Sequence, residues 1–121
     1  IPVAVSAALA VQEIFEKEDI FNRVKNISNY FQEGLHSLKD IECIESIRNY
    51  GLLGGIDILM KDKPGKAGFQ VYKECYKAGI NIKPTGDALI IAPPFICDKK
   101  NIDEIIEKLR KGIKNYIKIS K

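Results

Sequence analysis

The residues with the best claim to chemistry are Lys83-Pro84-Thr85-Gly86-Asp87. Lys83 alternates with Ile82 on a short strand-like run and stands directly before a rigid turn. A cation fixed on a strand can hold a substrate carboxylate, whereas a loop cation wanders. On composition alone the plainer reading, an ordinary solvated lysine, is favoured. Asp87 either ion-pairs locally or shapes the turn. His36, the single histidine, lies beside a helix stripe next to Leu35 and reads as a boundary residue. With that one histidine so placed, no Ser-His-Asp or Cys-His arrangement can be built.

Other motifs point away from chemistry. Cys43, Cys75 and Cys97 are far apart, with no Cys-x-x-Cys pair. Zinc sites need four closely organised ligands, so no metal is expected, and the three thiols read as reduced and mostly buried. Gly51-Leu52-Leu53-Gly54-Gly55 has neither a P-loop's Gly-Lys-Ser/Thr ending nor Gly-x-Gly-x-x-Gly spacing, and no helix follows it. A strand bend explains it better. The last segment carries Lys108, Arg110, Lys111, Lys114, Lys118 and Lys121, with Asp103, Glu104 and Glu107 near its start. That polarity matches a helix dipole. Its opposite stripe is aliphatic and offers no stacking platform for nucleic acid.

Composition bounds the rest. A chain of 121 residues suits one domain, 1–121, able to bury roughly two-thirds of its unfolded surface. A net charge of +3 gives no strong pull toward nucleic acid or anionic membrane. The longest apolar run, Val3 to Val11, is too short for a bilayer and lacks signal-peptide flanks. A cytoplasmic location is the expectation.

The elements that must position Lys83 follow from periodicity. Pro2 suits a first helical position, and residues 3–18 read as a helix that is apolar on nearly every face in its first half. Such a helix expects protein all round it. The chain also opens on Ile1-Pro2-Val3-Ala4 without Met, and a part of a larger protein is expected. Ile20, Val24, Ile27, Phe31, Leu35 and Leu38 draw one stripe on a helix over 19–39, with Gly34 marking a tight helix contact. Ile44 to Tyr50 and Leu52 to Leu59 read as strands around Gly51, with Leu52, Ile56 and Ile58 on one face and Gly55 and Asp57 on the other. Gly54-Gly55 suggests a bulge or a close approach, and residues 61–66 an exposed loop.

A short helix over 67–78 carries Phe69, Tyr72 and Tyr76 on one side and stops at Gly79. Two strands flank Thr85-Gly86-Asp87, the second closed by Pro93-Pro94. Asn101 with Glu104 reads as the cap of a last helix whose stripe is Ile102, Ile106, Leu109, Ile113 and Ile117. The fold class is α+β: a small antiparallel sheet covered by helices on one face.

Several segments, in order, resemble class III aminotransferases of the β-alanine/ω-amino acid–pyruvate branch. Ile1-Pro2-Val3-Ala4 with Ala7-Ala8-Leu9-Ala10 is similar to that family's His-Pro-Val-Ala opening, and residues 30–39 to its next helix. Arg48-Asn49-Tyr50-Gly51-Leu52 and Gly55-Ile56-Asp57 look like its Arg-Asn-x-Gly-Leu and Gly-Ile-Glu strands. Ile82-Lys83-Pro84-Thr85-Gly86-Asp87 followed by Pro93-Pro94 looks like Ile-Arg-x-Thr-Gly-Asp…Pro-Pro.

The resemblance implies the C-terminal small domain of a fold-type I enzyme dependent on pyridoxal phosphate. Residues 1–18 would then link to a large domain that carries the cofactor, its Schiff-base lysine and the aspartate facing the pyridine nitrogen. No lysine here occupies the family's Schiff-base motif, so covalent cofactor binding and activity are not expected of this stretch alone. The implied enzyme is a homodimer that moves an amino group from an ω-amino acid or amine to pyruvate or another keto acid. Lys83 falls where the family carries an arginine that grips the substrate carboxylate. Arginine offers a planar fork and lysine one compact charge, a change that weakens or broadens the grip. Arg48 matches a family position too, with a structural role expected. The competing reading is an independent α+β ligand-sensing or protein-interaction module.

Overall fold

The computed structural model describes residues 1–59 and 64–120. Lys61, Asp62 and Lys63 of the expected loop, and Lys121, lie outside the described residues; Pro64, Gly65 and Lys66 form an exposed turn. In chain order the elements are α1 (Pro2–Lys17), α2 (Ile20–His36), β1 (Ile44–Tyr50), β2 (Leu53–Ile58), α3 (Ala67–Lys77), β3 (Lys83–Thr85), β4 (Ala88–Ile91) and α4 (Lys99–Ser120).

The strands form one antiparallel sheet in the order β1-β2-β4-β3. Tyr50 pairs with Leu53 and Thr85 with Ala88, so each hairpin turns on two residues. Gly51 (φ +54°) and Gly86 (φ +55°) take the first place in those turns, where a side chain would resist the left-handed backbone. Pro84 lies on the edge strand β3, where its missing donor costs little.

Alternation then sorts the side chains. Gly54, Ile56 and Ile58 of β2 and Leu89 and Ile91 of β4 are buried beneath the helices. The helices contribute Phe31 and Leu35 from α2, Val71 and Cys75 from α3, and Ile102, Leu109 and Ile113 from α4. The stripes expected on the second and last helices are thus the ones that pack. A Cβ at Gly54 would lie 2.4 Å from Leu35 Cδ2, so the close approach expected of Gly54-Gly55 is real and is made by α2. The bulge falls elsewhere, between Ile44 and Ser46 of β1. At Gly34 a Cβ would lie 3.0 Å from Ile106 Cγ1, the tight helix contact foreseen there. At Gly112 it would lie 2.6 Å from Cys75 Sγ and 2.7 Å from Cys75 Cα, so α3 and α4 approach backbone to backbone there.

Several boundaries differ from expectation, those of α2 and α4 the most. The helix over 19–39 begins at Ile20 and stops at His36, and Ser37–Asp40 tighten into a 3-10 turn. Arg110 of α4 holds that turn, donating to the Ser37 carbonyl at 2.9 Å and to the Asp40 carboxylate at 2.8 and 3.0 Å. Helix α4 starts earlier than expected. Asp98 is its cap, accepting from Asn101 N at 2.8 Å, while Asn101 Oδ1 accepts from Asp98 N at 3.0 Å. Asn101 therefore fills the back-reaching place of a capping box that Glu104 was expected to fill. At the end of α3 the stop at Gly79 holds: Ile80 N donates to Cys75 O and Gly79 N to Tyr76 O, both at 3.0 Å. That is the Schellman pattern.

Helix α1 is the exception to the packing. None of its residues is buried; Val3 is 83% and Leu9 62% exposed. Only its far end is anchored, through Phe15, whose ring lies 5.3 Å from Phe21 and 6.3 Å from Phe95.

Candidate functional site

The face of the sheet away from the helices is open. Ladder partners share a face, so the pairings Arg48↔Gly55, Gly55↔Ile90 and Ile90↔Lys83 lay these four residues in one row across all four strands. A neighbouring row runs Ser46, Asp57, Ala88, Thr85. Lys83 and Arg48 thus share a face but sit at opposite edges, roughly 14 Å apart at ordinary strand spacing.

Lys83 is exposed, and its side chain makes no hydrogen bond or ion pair to any other described residue. Beside it lies a depression of about 460 Å³ walled by Ile82, Ile91, Pro93, Pro94 and Ile105. An ammonium at the rim of an apolar hollow can grip a carboxylate while the rest of that molecule rests on hydrocarbon. The wall is held from behind: Arg23 Nη2 donates to Ile96 O at 2.7 Å, and Cys97 N to Pro94 O at 3.0 Å.

Arg48 is spoken for. Its Nη1 donates to Asp57 Oδ2, the same oxygen that accepts from Ser46 Oγ at 2.5 Å. The Arg48 guanidinium, and after it the Ser46 hydroxyl, hold the Asp57 carboxyl below the usual carboxylate range. A structural role for Arg48 is what the sequence led one to expect. The flat-floored hollow of about 410 Å³ next to it owes its shape to Gly54 and Gly55, with Tyr50 and Leu53 at its sides.

Asp87 has no ion pair to a described residue, and it does more than shape its own turn. Its two carboxylate oxygens accept from Gly65 N at 2.7 Å and Ala67 N at 2.9 Å, at the start of α3. Those backbone donors hold its carboxyl below the usual range. Sequence reading missed this because the helix capped lies twenty residues upstream. The only local signal was an Asp directly after a turn glycine.

His36 stands apart from Lys83, donating from Nε2 to Asn49 Oδ1 at 2.9 Å on the opposite edge strand. It ties the end of α2 to β1, which fits a boundary residue. The three cysteines are free, with Cys75 and Cys97 buried and Cys43 half-buried. Burial pushes the Cys43 thiol up to about 11 and the Cys75 thiol to about 12, so neither is an available nucleophile near neutral pH. On α4, Lys108 and Arg110 are half-buried and paired with Glu104 and Asp40, while Lys111, Lys114 and Lys118 are more exposed or open to solvent. Among the described residues no group of three His, Cys, Asp or Glu could hold a metal, and no helix is long and apolar enough to cross a membrane.

These features can be set beside known proteins. The family model of aminotransferase class-III matches residues 1–113. The chain belongs to the class-III aminotransferase family. It is 34% identical over 113 residues to an omega-aminotransferase of Caulobacter vibrioides, covering 91% of this chain and 25% of that protein. It is 31% identical over 111 residues to an omega-amino acid–pyruvate aminotransferase of Pseudomonas putida, covering 88% and 24%. The crystal structure of adenosylmethionine-8-amino-7-oxononanoate aminotransferase from Methanocaldococcus jannaschii superposes with a TM-score of 0.84 at 32% identity, over 91% of this chain and 27% of that one. The omega transaminase of Pseudomonas jessenii in complex with PMP gives 0.91 at 21% identity, over 98% and 28%, a likeness of fold. The chain spans about a quarter of the length of the relatives it matches. The chain is therefore an α+β unit with the fold of the fold-type I transaminases: the α+β class follows the sequence pattern, and the fold type follows the resemblance.

That family works with pyridoxal phosphate, and the fit of the cofactor to these residues can be tested. It needs a lysine amine, an acid facing the pyridine nitrogen and a cradle of donors for the phosphate. The hollow beside Lys83 has one ionisable lining residue, Lys83 itself, and no acid or hydroxyl. That hollow does not fit the cofactor.

Proposed function

We propose that this chain is the C-terminal small domain of an aminotransferase moving an amino group from an ω-amino acid or amine to pyruvate or another keto acid. The observation that carries the reading is Lys83: an exposed cation with no side-chain partner among the described residues, at the rim of an apolar hollow and at the place where the family's motif has arginine. The domain's part is to bind and orient the donor. Lys83 takes the carboxylate, and the hollow walled by Pro93 and Pro94 takes carbon chain. A single ammonium fixes charge but not orientation, so donors with and without a carboxylate are accepted more evenly than by an arginine fork.

The cofactor's electron-sink chemistry, and the lysine that relays protons, belong in this proposal to the large domain of the same enzyme. Helix α1, within residues 1–18, links to that domain and is covered by it. Support comes from its exposed Val3, Val5 and Leu9 and from relatives about four times longer than the matched stretch. The same reading takes the enzyme to be a homodimer in the cytoplasm.

The test is the Lys83→Ala variant of the full-length polypeptide, assayed with an ω-amino acid and with a simple amine. KM for the ω-amino acid should rise about tenfold, the worth of one charge-assisted hydrogen bond, and KM for the amine much less. Equal effects on both donors would remove Lys83 from the site.

A further inference from the structure

Lys83 stands on a weak strand. β3 is three residues long, lies at the sheet's edge and contains Pro84. Its pairing with β4 is limited to Lys83↔Ile90, Pro84↔Leu89 and Thr85↔Ala88. β4 is fixed on its other side by its ladder with β2, but β3 has only these three pairings to hold it. The tip of this hairpin is held by something else, the start of α3.

Three hydrogen bonds make that junction, and a fourth ties the turn to β2. Asp87 Oδ2 accepts from Gly65 N at 2.7 Å, and Asp87 Oδ1 from Ala67 N at 2.9 Å. Gly68 N donates to Gly86 O at 3.1 Å, and Ile58 N to Asp87 O at 2.8 Å. The surfaces meet backbone to backbone, because a Cβ at Gly68 would lie 2.6 Å from Gly86 O and 2.7 Å from Ala88 O. Lys66, the residue at the helix's own cap position, makes no side-chain cap bond. Asp87 supplies what is missing there: an acceptor for orphan N–H groups and a negative charge at the positive end of the helix.

We propose that Asp87 positions Lys83 for carboxylate recognition, by clamping the β3–β4 turn to the N-terminus of α3. The inference rests on the assignment of Lys83 to the substrate carboxylate. Lys83 lies only two residues before the turn pair Thr85↔Ala88, so the clamp acts on a short lever. With the carboxylate gone, the turn keeps only its backbone contacts and the ammonium spreads over a larger volume. A donor that needs a fixed cation then binds less well. A donor with no carboxylate has little to lose.

The experiment uses the full-length holoenzyme with the variants Asp87→Asn, Lys83→Ala and the two combined, assayed on an ω-amino acid and on an amine without a carboxylate. Asp87→Asn is nearly isosteric and keeps one acceptor oxygen, so it tests the clamp without emptying the site. It should raise KM for the ω-amino acid about fivefold, and by several times more than KM for the amine, with the change falling on KM rather than kcat. Added to Lys83→Ala it should do nothing further to the amino-acid KM, since the residue it positions is gone. Two results separate the claims. If Lys83→Ala fails to distinguish the donors, the assignment of Lys83 falls and the inference with it. If Lys83→Ala distinguishes them but Asp87→Asn affects both donors alike, or adds fully in the double variant, only the positioning role of Asp87 falls.

Discussion

The two faces of the sheet are built from the same strands and do opposite work. In β2 and β4, Gly54, Ile56, Ile58, Leu89 and Ile91 face the helices and are buried, while their neighbours Leu53, Gly55, Asp57, Ala88 and Ile90 face away. The covered face is apolar and close enough to α2 that Gly54 has no room for a methyl group. The open face carries the charges: Asp57 bound to Arg48, and Lys83 with no described partner. The lesson is one of division. Residues one apart in sequence answer to different constraints, packing on one side and recognition on the other, because a strand's side chains alternate.

Neighbouring substitutions can break this contrast. The largest difference should come from β4. Leu89 is fully buried, and Leu89→Ala should cost about 3 kcal/mol in urea denaturation, the usual result of emptying a core site. Ile90→Ala, one residue on, should cost about 1 kcal/mol or less. Equal losses in the full-length protein would mean that the open face is itself covered there.

A second pair lies in β2. Gly54→Ala forces Leu35 to move and should destabilise by about 1–3 kcal/mol. Gly55→Ala places its Cβ at 3.4–3.5 Å from the Arg48 side chain, ordinary contact, and should be close to neutral. Matching effects would overturn the assignment of faces.

The smallest effect concerns the ion pair on the open face. Asp57 has a depressed folded pKa, so its contribution is present above the unfolded value near ~3.9 and is lost as pH falls through the folded value. Arg48→Ala should therefore lower stability at pH 6 only slightly, because the guanidinium is largely exposed. That gap should close below about pH 4. A gap that stays constant into acid would mean that Arg48 stabilises by packing instead of charge.

Much of this was legible in residue order, and the failures have physical causes. The helix stripes, both hairpins and the Gly79 stop were readable because each depends on contacts within a few residues. Lys83 could be singled out by its place between a strand and a rigid turn. Its isolation from Arg48 could not, since their separation depends on the strand order β1-β2-β4-β3, which periodicity does not encode. Asp98 is harder to read as the cap of α4 because Asn101 with Glu104 has the same spacing and the commoner back-reaching residue. Helix α1 is legible in composition but has no counterpart among the described residues that covers it.

Sequence alone settled which residues alternate, which turn and which form stripes, because backbone sterics and hydrophobic period act over short distances. It also carried the family's ordered motifs. Tertiary structure decided that Asp87 caps a helix twenty residues before it, that Arg48 is engaged by Asp57, and that Lys83 lies beside an apolar hollow with no side-chain partner among the described residues. Each of those facts depends on which distant segments the core brings together, and burial of the helix stripes, summed over the whole domain, makes that choice.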